Sequence, residues 1–511
     1  MVDKVNTDNF PEWAKGKIMY HIFVDRFSRD KFRPLEELPN RTIHKSWNER
    51  PVIGPNEKGI WNADFYGGNL LGIKDELNYI RSLGVSILFL SPIVKSQSNH
   101  RYDTGDYENV DPYVGYNKDL KALCDKAHSK NMYVILDAVF NHTGNDSIYY
   151  NEFGNYPGVG AFQSEESPYN EFYRTYYDHN GERKFSYWWD FKNLPVCDGY
   201  NEKWINYITG VGGVIDKWFS YGIDGLRLDV ADELNDSFIE KIRVACHRNK
   251  EDSFILGEVW DNPMRMGRNY LGKQGMDSVM NYHFVDALIR YFKYADTHKL
   301  DYVIDDILRE YPKDTVNALM NFTSTHDISR AINIFGADVF SPYTRYAWDM
   351  DNGNHELIKN FHMTKEQYKK ARDILKAYSY TLCLMPGIYS IFYGDEVGLE
   401  GLGNLDNRRP MPWNKIDKNL LKHFRMIGHI RRDEPFLEEA SLNMYDINDN
   451  YLMFERAKDN EKALTIVSRL DYDRKLPVPE EYQKPDKIYT LKKHKPGVLE
   501  SYGGITLKKD K

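Results

Sequence analysis

The chain has 511 residues, 41% hydrophobic and 28% charged, with a formal net charge of −8 and a pI near 6.0. A chain of this length can bury a large core, and its acidic balance argues against nucleic-acid or anionic-membrane partners. No apolar run approaches the ~18 residues that a membrane span needs, and the polar stretch Met1–Lys17 has no signal-type apolar segment. The expected location is therefore the cytoplasm. Four widely spaced cysteines (Cys124, Cys197, Cys246, Cys383) with no CxxC pair read as reduced, partly buried thiols in a reducing compartment. Aromatic residues make up 14%, including 38 Tyr and 10 Trp, a stock that suits ligands with flat apolar faces and hydroxyl edges.

In chain order, Ile18–Val24 reads as a first strand, and the polar stretch Asp30–Asp64 as a long loop. Ile73, Leu77, Ile80 and Leu83 recur at helical spacing, with Gly84 as a C-cap and strand Val85–Leu90 behind it. The phrase repeats with Leu120, Leu123 and Ala127, then Asn131 as stop, then strand Tyr133–Leu136. It returns with Trp204, Ile208, Val211, Ile215 and Trp218, then Gly222 and strand Ile223–Leu228. A helix through Phe238, Ile242 and Ala245 leads to strand Phe254–Gly257, and Ser278–Met280, Val316–Phe322 and Ile388–Tyr393 complete a set of eight. Eight apolar strands alternating with helices predict an α/β fold, a closed (β/α)8 TIM barrel. An open doubly wound sheet is the alternative, but no Gly-rich phosphate loop follows any strand. Two segments break the rhythm. Residues 143–201, rich in Tyr, Asn, Gly and Trp, predict an inserted domain after the third strand; residues 434–511 predict a small C-terminal antiparallel β domain, sandwich-like. The barrel then comprises 1–142 and 202–433.

In such a barrel, chemistry collects at the C-terminal ends of the strands. The second strand leads to Asn99–Tyr107, and the third ends Asp137-Ala138-Val139-Phe140-Asn141-His142. The fourth ends Arg227-Leu228-Asp229, the fifth Gly257-Glu258-Val259-Trp260, and the seventh Thr323-Ser324-Thr325-His326-Asp327. Arg227 and Asp229 share a strand face because side chains alternate. A structural ion pair is one reading of them, but four strands delivering carboxylates to one rim favour chemistry. Glycoside hydrolysis needs two carboxyls, one ionised nucleophile and one acid that later serves as base. Arg227 is placed to keep Asp229 ionised, and Val259 and Trp260 to give Glu258 an apolar setting that raises its pKa. Asp327 is left to bind sugar hydroxyls near the reacting carbon.

Asp137–His142, Gly225–Asp229, Gly257–Trp260 and Phe322–Asp327 resemble, in order and placement, four signature regions of the α-amylase family of glycoside hydrolases. The resemblance runs from about Lys17 to Trp413 and is greatest to the neopullulanase/cyclomaltodextrinase group, through Ser98–Gly115, Asp229–Leu234, Met280–Tyr282 and Tyr393–Trp413. It implies Asp229 as nucleophile, Glu258 as acid/base and Asp327 as transition-state stabiliser. It implies substrate contacts at Tyr102, His142, Arg227, Trp260, His326, Asn404 and Arg408.

The departures are specific. The aspartate that accompanies Arg408 in the family aligns with Asn404, with Asp406 as a substitute. Asp232 stands where this group has Asn. Val196 replaces a calcium-binding aspartate, and a calcium loop near the first strand is replaced by Ser28-Arg29-Asp30-Lys31, with Asn69 for its aspartate. No cofactor is therefore expected to be required, and the family's usual calcium sites are expected to be incomplete. The group's N-terminal β domain is expected to be absent, which leaves the oligomeric state open. The expected substrate is an α-glucan oligosaccharide cut at α-1,4 bonds, with cyclodextrins and pullulan as further candidates. A 4-α-glucanotransferase on the same scaffold and a non-catalytic sugar- or partner-binding barrel are the alternatives.

Overall fold

The computed structural model describes residues 8–30, 35, 38, 40–268, 270–338, 355–493 and 495–510. Residues 1–7 of the polar N-terminal stretch, Lys31, and parts of the 30–64 loop lie outside the described residues. Eight strands form one parallel sheet: β1 (Ile18–Ile22), β2 (Ile87–Leu90), β3 (Tyr133–Ala138), β4 (Gly225–Leu228), β5 (Phe254–Gly257), β6 (Ser278–Val279), β7 (Met320–Phe322) and β8 (Ile388–Phe392). Their order is β6-β5-β4-β3-β2-β1-β8-β7. The two ends meet through a parallel bridge between Met280 and Met320. The sheet is thus a nearly closed (β/α)8 barrel, as expected. Nearly every residue of these strands is buried, as strands covered on both faces require.

The stop signals read from the sequence hold. Gly84, Asn131 and Gly222 all adopt left-handed backbone, with φ of 82°, 56° and 93°. A Cβ on Gly84 would also meet the Gly428 carbonyl oxygen at 2.6 Å, so only glycine fits.

Several element boundaries differ from expectation. The apolar period 73–83 is two short helices, Leu70–Asp75 and Leu77–Arg81. The long helix expected through Val211 is also two, Glu202–Thr209 and Val214–Ser220, because Gly210, Gly212 and Gly213 interrupt it; Val211 is left 86% exposed. Val316 ends a helical turn, Lys313–Val316, and strand β7 starts only at Met320. The first strand stops at Ile22, and Val24–Phe27 turns helical.

Contacts sort the chain into two compact units: residues up to 12, 21–77 and 87–279, and residues 13–20, 78–86 and 280 onward. The first holds β2–β6 and the insertion that follows β3. This insertion builds its core from rings, with Tyr150, Phe172 and Tyr173 buried and the Tyr150 and Tyr187 hydroxyls hydrogen-bonded at 2.9 Å. The bridge His142↔Val196 and the Thr143 N–H on the Pro195 carbonyl at 3.1 Å hold its two ends together.

The second unit holds β7, β8 and a five-stranded antiparallel sheet of β9 (Ser441–Ile447), β10 (Tyr451–Lys458), β11 (Glu461–Ser468), β12 (Lys487–Thr490) and β13 (Gly504–Asp510), in the order β9-β10-β11-β13-β12. Arg456 on β10 is fully buried and donates to the carbonyls of Leu384, Leu437, Ala440 and Ser441 at 2.7–3.2 Å. Leu384 ends the helix Lys365–Leu384, whose last carbonyls have no helical donor and carry the negative end of the dipole. A planar fork satisfies them where an ammonium cannot. Arg456→Met is expected to destabilise the chain by about 3 kcal/mol or more, because it strands buried acceptors, with Arg456→Lys recovering only part. Urea denaturation followed by tryptophan fluorescence checks this.

Candidate active site

The strand register explains the constellation in the first unit. Arg227 on β4 lies level with Asp137 on β3 and Leu256 on β5. Its guanidinium, wholly buried, contacts three carboxylates: Asp137 at 2.7 Å, Asp229 at 2.9 Å and Glu258 at 2.9 Å. Asp229 leaves β4 with its N–H on the Ala138 carbonyl, and Glu258 leaves β5 with its N–H on Leu228, both at 3.0 Å. The backbone ladder therefore sets both carboxyls beside one cation. A buried arginine is costly to desolvate, and three carboxylates compensate it.

Glu258 does not sit in the apolar setting expected of it. Its Oε2 accepts the Val230 N–H at 2.8 Å, and its Oε1 accepts the Trp260 indole N–H at 3.0 Å. Trp260 turns its polar edge toward the carboxyl. Val230 has φ of +39°, a left-handed conformation that a β-branched residue adopts only when its surroundings impose it. That strain aims its N–H at Glu258.

Asp137 was visible at its strand end but had no role assigned. Here it anchors the group: it accepts from Arg227 and from the Tyr102 hydroxyl at 2.7 Å each. Burial pushes its carboxyl up to about 6, against the pull of Arg227. The Tyr102 ring lies 5.9 Å from the Arg227 guanidinium carbon. His142 is buried, with Nε2 3.1 Å from the Tyr102 carbonyl. That oxygen can only accept, so Nε2 carries the hydrogen. The ring stacks on Trp188, centroids 5.3 Å apart.

Sequence reasoning gave Trp188 no role. Its indole N–H and that of Trp189 both donate to Glu233 Oε1, at 2.9 and 3.0 Å. Trp189 takes φ of +47° and stays 66% exposed. Asp232, beside Glu233, is pushed up to about 6 by burial and by the Glu258 and Glu233 charges.

In the second unit, His326 and Asp327 follow β7. His326 Nε2 lies 3.1 Å from Asp327 Oδ2, and Arg408 approaches Asp327 Oδ1 at 3.7 Å while donating to the His326 carbonyl at 3.0 Å. Asp406 is buried and pairs with Arg409, whose Nη2 lies 2.6 Å away. The short helix Gly403–Asp406 aims it there and holds Asn404 half-buried.

At the sequence positions of the two calcium sites, Asn69 caps the helix Leu70–Asp75 through the Gly72 N–H and Val196 is a buried apolar residue. Among the described residues no group of three or more His, Cys, Asp or Glu side chains is placed to hold a metal ion.

A family model described as alpha amylase, catalytic domain, matches residues 21–460. The chain belongs to the α-amylase family. This family member is 33% identical to an amylopullulanase from Thermoanaerobacterium thermosulfurigenes over 498 residues, 89% of this chain and 25% of that protein. It is 30% identical to neopullulanase 2 from Thermoactinomyces vulgaris over 470 residues, 90% of this chain and 70% of that one. A solved structure, the ligand-free cyclic alpha-maltosyl-(1→6)-maltose hydrolase from Arthrobacter globiformis, matches with a TM-score of 0.77 over 98% of this chain and 100% of that one; at 23% identity it shows a common fold. The chain spans 25–37% of the length of the three amylopullulanases it matches.

Burial holds His142 down to about 4, so it is neutral at pH 7. The unfolded chain, near 6.5, takes up a proton that the folded chain refuses, so this residue costs stability as pH falls from 6.5 toward 4. Between pH 7 and 4.5 the wild type is expected to lose about 2 kcal/mol more than His142→Asn, read from urea midpoints at the two pH values.

Proposed function

We propose that this α-amylase family member is a retaining α-glucan hydrolase that cuts α-1,4-glucosidic bonds of maltooligosaccharides through a covalent glycosyl-enzyme intermediate. The observation that carries this reading is the shared cation: Asp229 and Glu258, on neighbouring strands, each lie 2.9 Å from a nitrogen of Arg227. Double displacement needs two carboxyls flanking one bond, ~5–5.5 Å apart. Asp229 attacks the anomeric carbon while Glu258 gives its proton to the departing glycosidic oxygen. Water then attacks the same carbon, Glu258 takes its proton, and the bond to Asp229 breaks.

The cluster has the charge for this cycle. Three carboxylates face one guanidinium, so the cluster carries an excess of negative charge, and burial pushes the Asp137 carboxyl up to about 6. The family resemblance gives Asp327 the transition-state role, and its pairing with His326 and Arg408 suits a carboxylate held to receive sugar hydroxyls. Tyr102 and His142 offer a ring face and a neutral imidazole toward the sugar. The names of the relatives support an α-glucan as the substrate class. The four cysteines are all free and buried, which fits a reducing compartment.

Proton NMR of the first products from maltotriose is expected to show the α-anomer, the mark of retention. Asp229→Ala and Glu258→Gln are each expected to lower kcat/KM by about 10³-fold or more. Inversion, or activity surviving in either variant, would sink the assignment. A product profile on maltooligosaccharides, pullulan, cyclodextrin and starch then identifies the preferred glucan, and longer oligosaccharides from maltotriose would mark transfer.

A further inference from the structure

The inserted segment carries a concave surface that the mechanism does not use. A cleft of about 570 Å³ is lined by Phe162, Tyr176, Phe185 and Tyr187 together with Lys184 and Lys192. It lies at the hairpin Thr175–Tyr177/Arg183–Phe185. Phe162 is 45% exposed and Tyr176 54%. Exposed rings gathered in a concavity mark a binding surface more often than an accident of packing.

The rings are firmly backed. Phe162 stacks on Phe185 at 6.3 Å and packs against Tyr150 at 5.3 Å. The Arg183 guanidinium covers Phe185 at 4.4 Å while donating to the Ala161 carbonyl at 3.2 Å and to Asn170.

Charges of both signs line the cleft, Arg183, Lys184 and Lys192 standing with Glu165. Lys184 pairs with Glu182 at 2.6 Å and Asp178 at 3.5 Å, and Lys192 rests 4.4 Å above the Tyr187 ring. An anion site would present uncompensated cations. This one presents ring faces edged by the hydrogen-bonding groups of Gln163 and Ser164. The complementary ligand is uncharged, with apolar faces and hydroxyl rims, which describes a chain of hexoses. The cleft also connects along the backbone to the catalytic strand ends: Tyr187 is followed by Trp188 and Trp189, which hold Glu233 just beyond β4.

We propose that this cleft is a second α-glucan-binding site, which holds part of a long glucan away from the point of cleavage and so favours longer substrates. Its ligand class rests on the function proposed above.

The test uses the full-length Asp229→Asn protein titrated calorimetrically with maltoheptaose. Adding Phe162→Ala with Tyr176→Ala is expected to abolish one binding event or weaken it roughly tenfold or more. Phe162→Tyr with Tyr176→Phe keeps both ring faces and is expected to keep the event, which separates lost rings from a lost fold. In the active protein, the alanine pair is expected to raise KM for amylose about tenfold and leave kcat/KM for maltotriose unchanged. A titration unaltered by the alanine pair overturns the proposal. Binding lost in that pair, when the wild-type protein hydrolyses no glucan, defeats the catalytic reading and keeps this one. Maltotriose hydrolysis with an unaltered titration does the reverse.

Discussion

One buried guanidinium organises the first unit of this chain. Arg227 meets Asp137, Asp229 and Glu258 within 3 Å. Removing the cation would leave three carboxylates to repel one another out of water; removing any one carboxylate shifts the remaining balance. Around that pairing the neighbouring elements supply donors: the Tyr102 hydroxyl to Asp137, the strained Val230 N–H and the Trp260 indole to Glu258. The strand register places the arginine and Asp137 at one level, so the ladder of backbone hydrogen bonds fixes that pairing.

The insertion after β3 extends that order outward. Its two ends are bridged by His142↔Val196, and its rings pack on one another and on Trp204 and Tyr207 of the helix Glu202–Thr209. Trp188 is the joint: one face lies on His142, and its N–H reaches Glu233. A segment with little regular secondary structure thereby holds aromatic groups at fixed positions beside the strand ends.

Much of this was legible in the sequence because period and punctuation are local. Alternating apolar runs gave the barrel, Gly84, Asn131 and Gly222 marked their turns, and the carboxylates appeared at the ends of the right strands. What escaped depended on partners distant in sequence. Asp137 and Arg227 stand 90 residues apart, and only the strand register shows that they meet. Glu258 looked apolar from its neighbours because a string of letters does not say which edge of Trp260 faces it. The pairing of Asp406 with Arg409 depends on a short helix that spacing alone did not announce. Val211 matched the helical period, and the flanking glycines overruled it.

The strands also carry carboxylates at their opposite ends, and these bond backbone rather than one another. Asp224, just before β4, accepts the Val134 N–H of β3 at 2.7 Å; Asp277, just before β6, accepts the Ile255 N–H of β5 at 2.8 Å. Both are buried and both stitch a strand to its neighbour. Carboxylates of equal burial thus serve opposite purposes according to which end of a strand they occupy. A survey of acidic-residue variants scored by activity in crude extract would merge the two groups, since lost protein and lost turnover look alike there. Only by measuring soluble yield and rate per molecule separately would the bottom aspartates be sorted from the top ones.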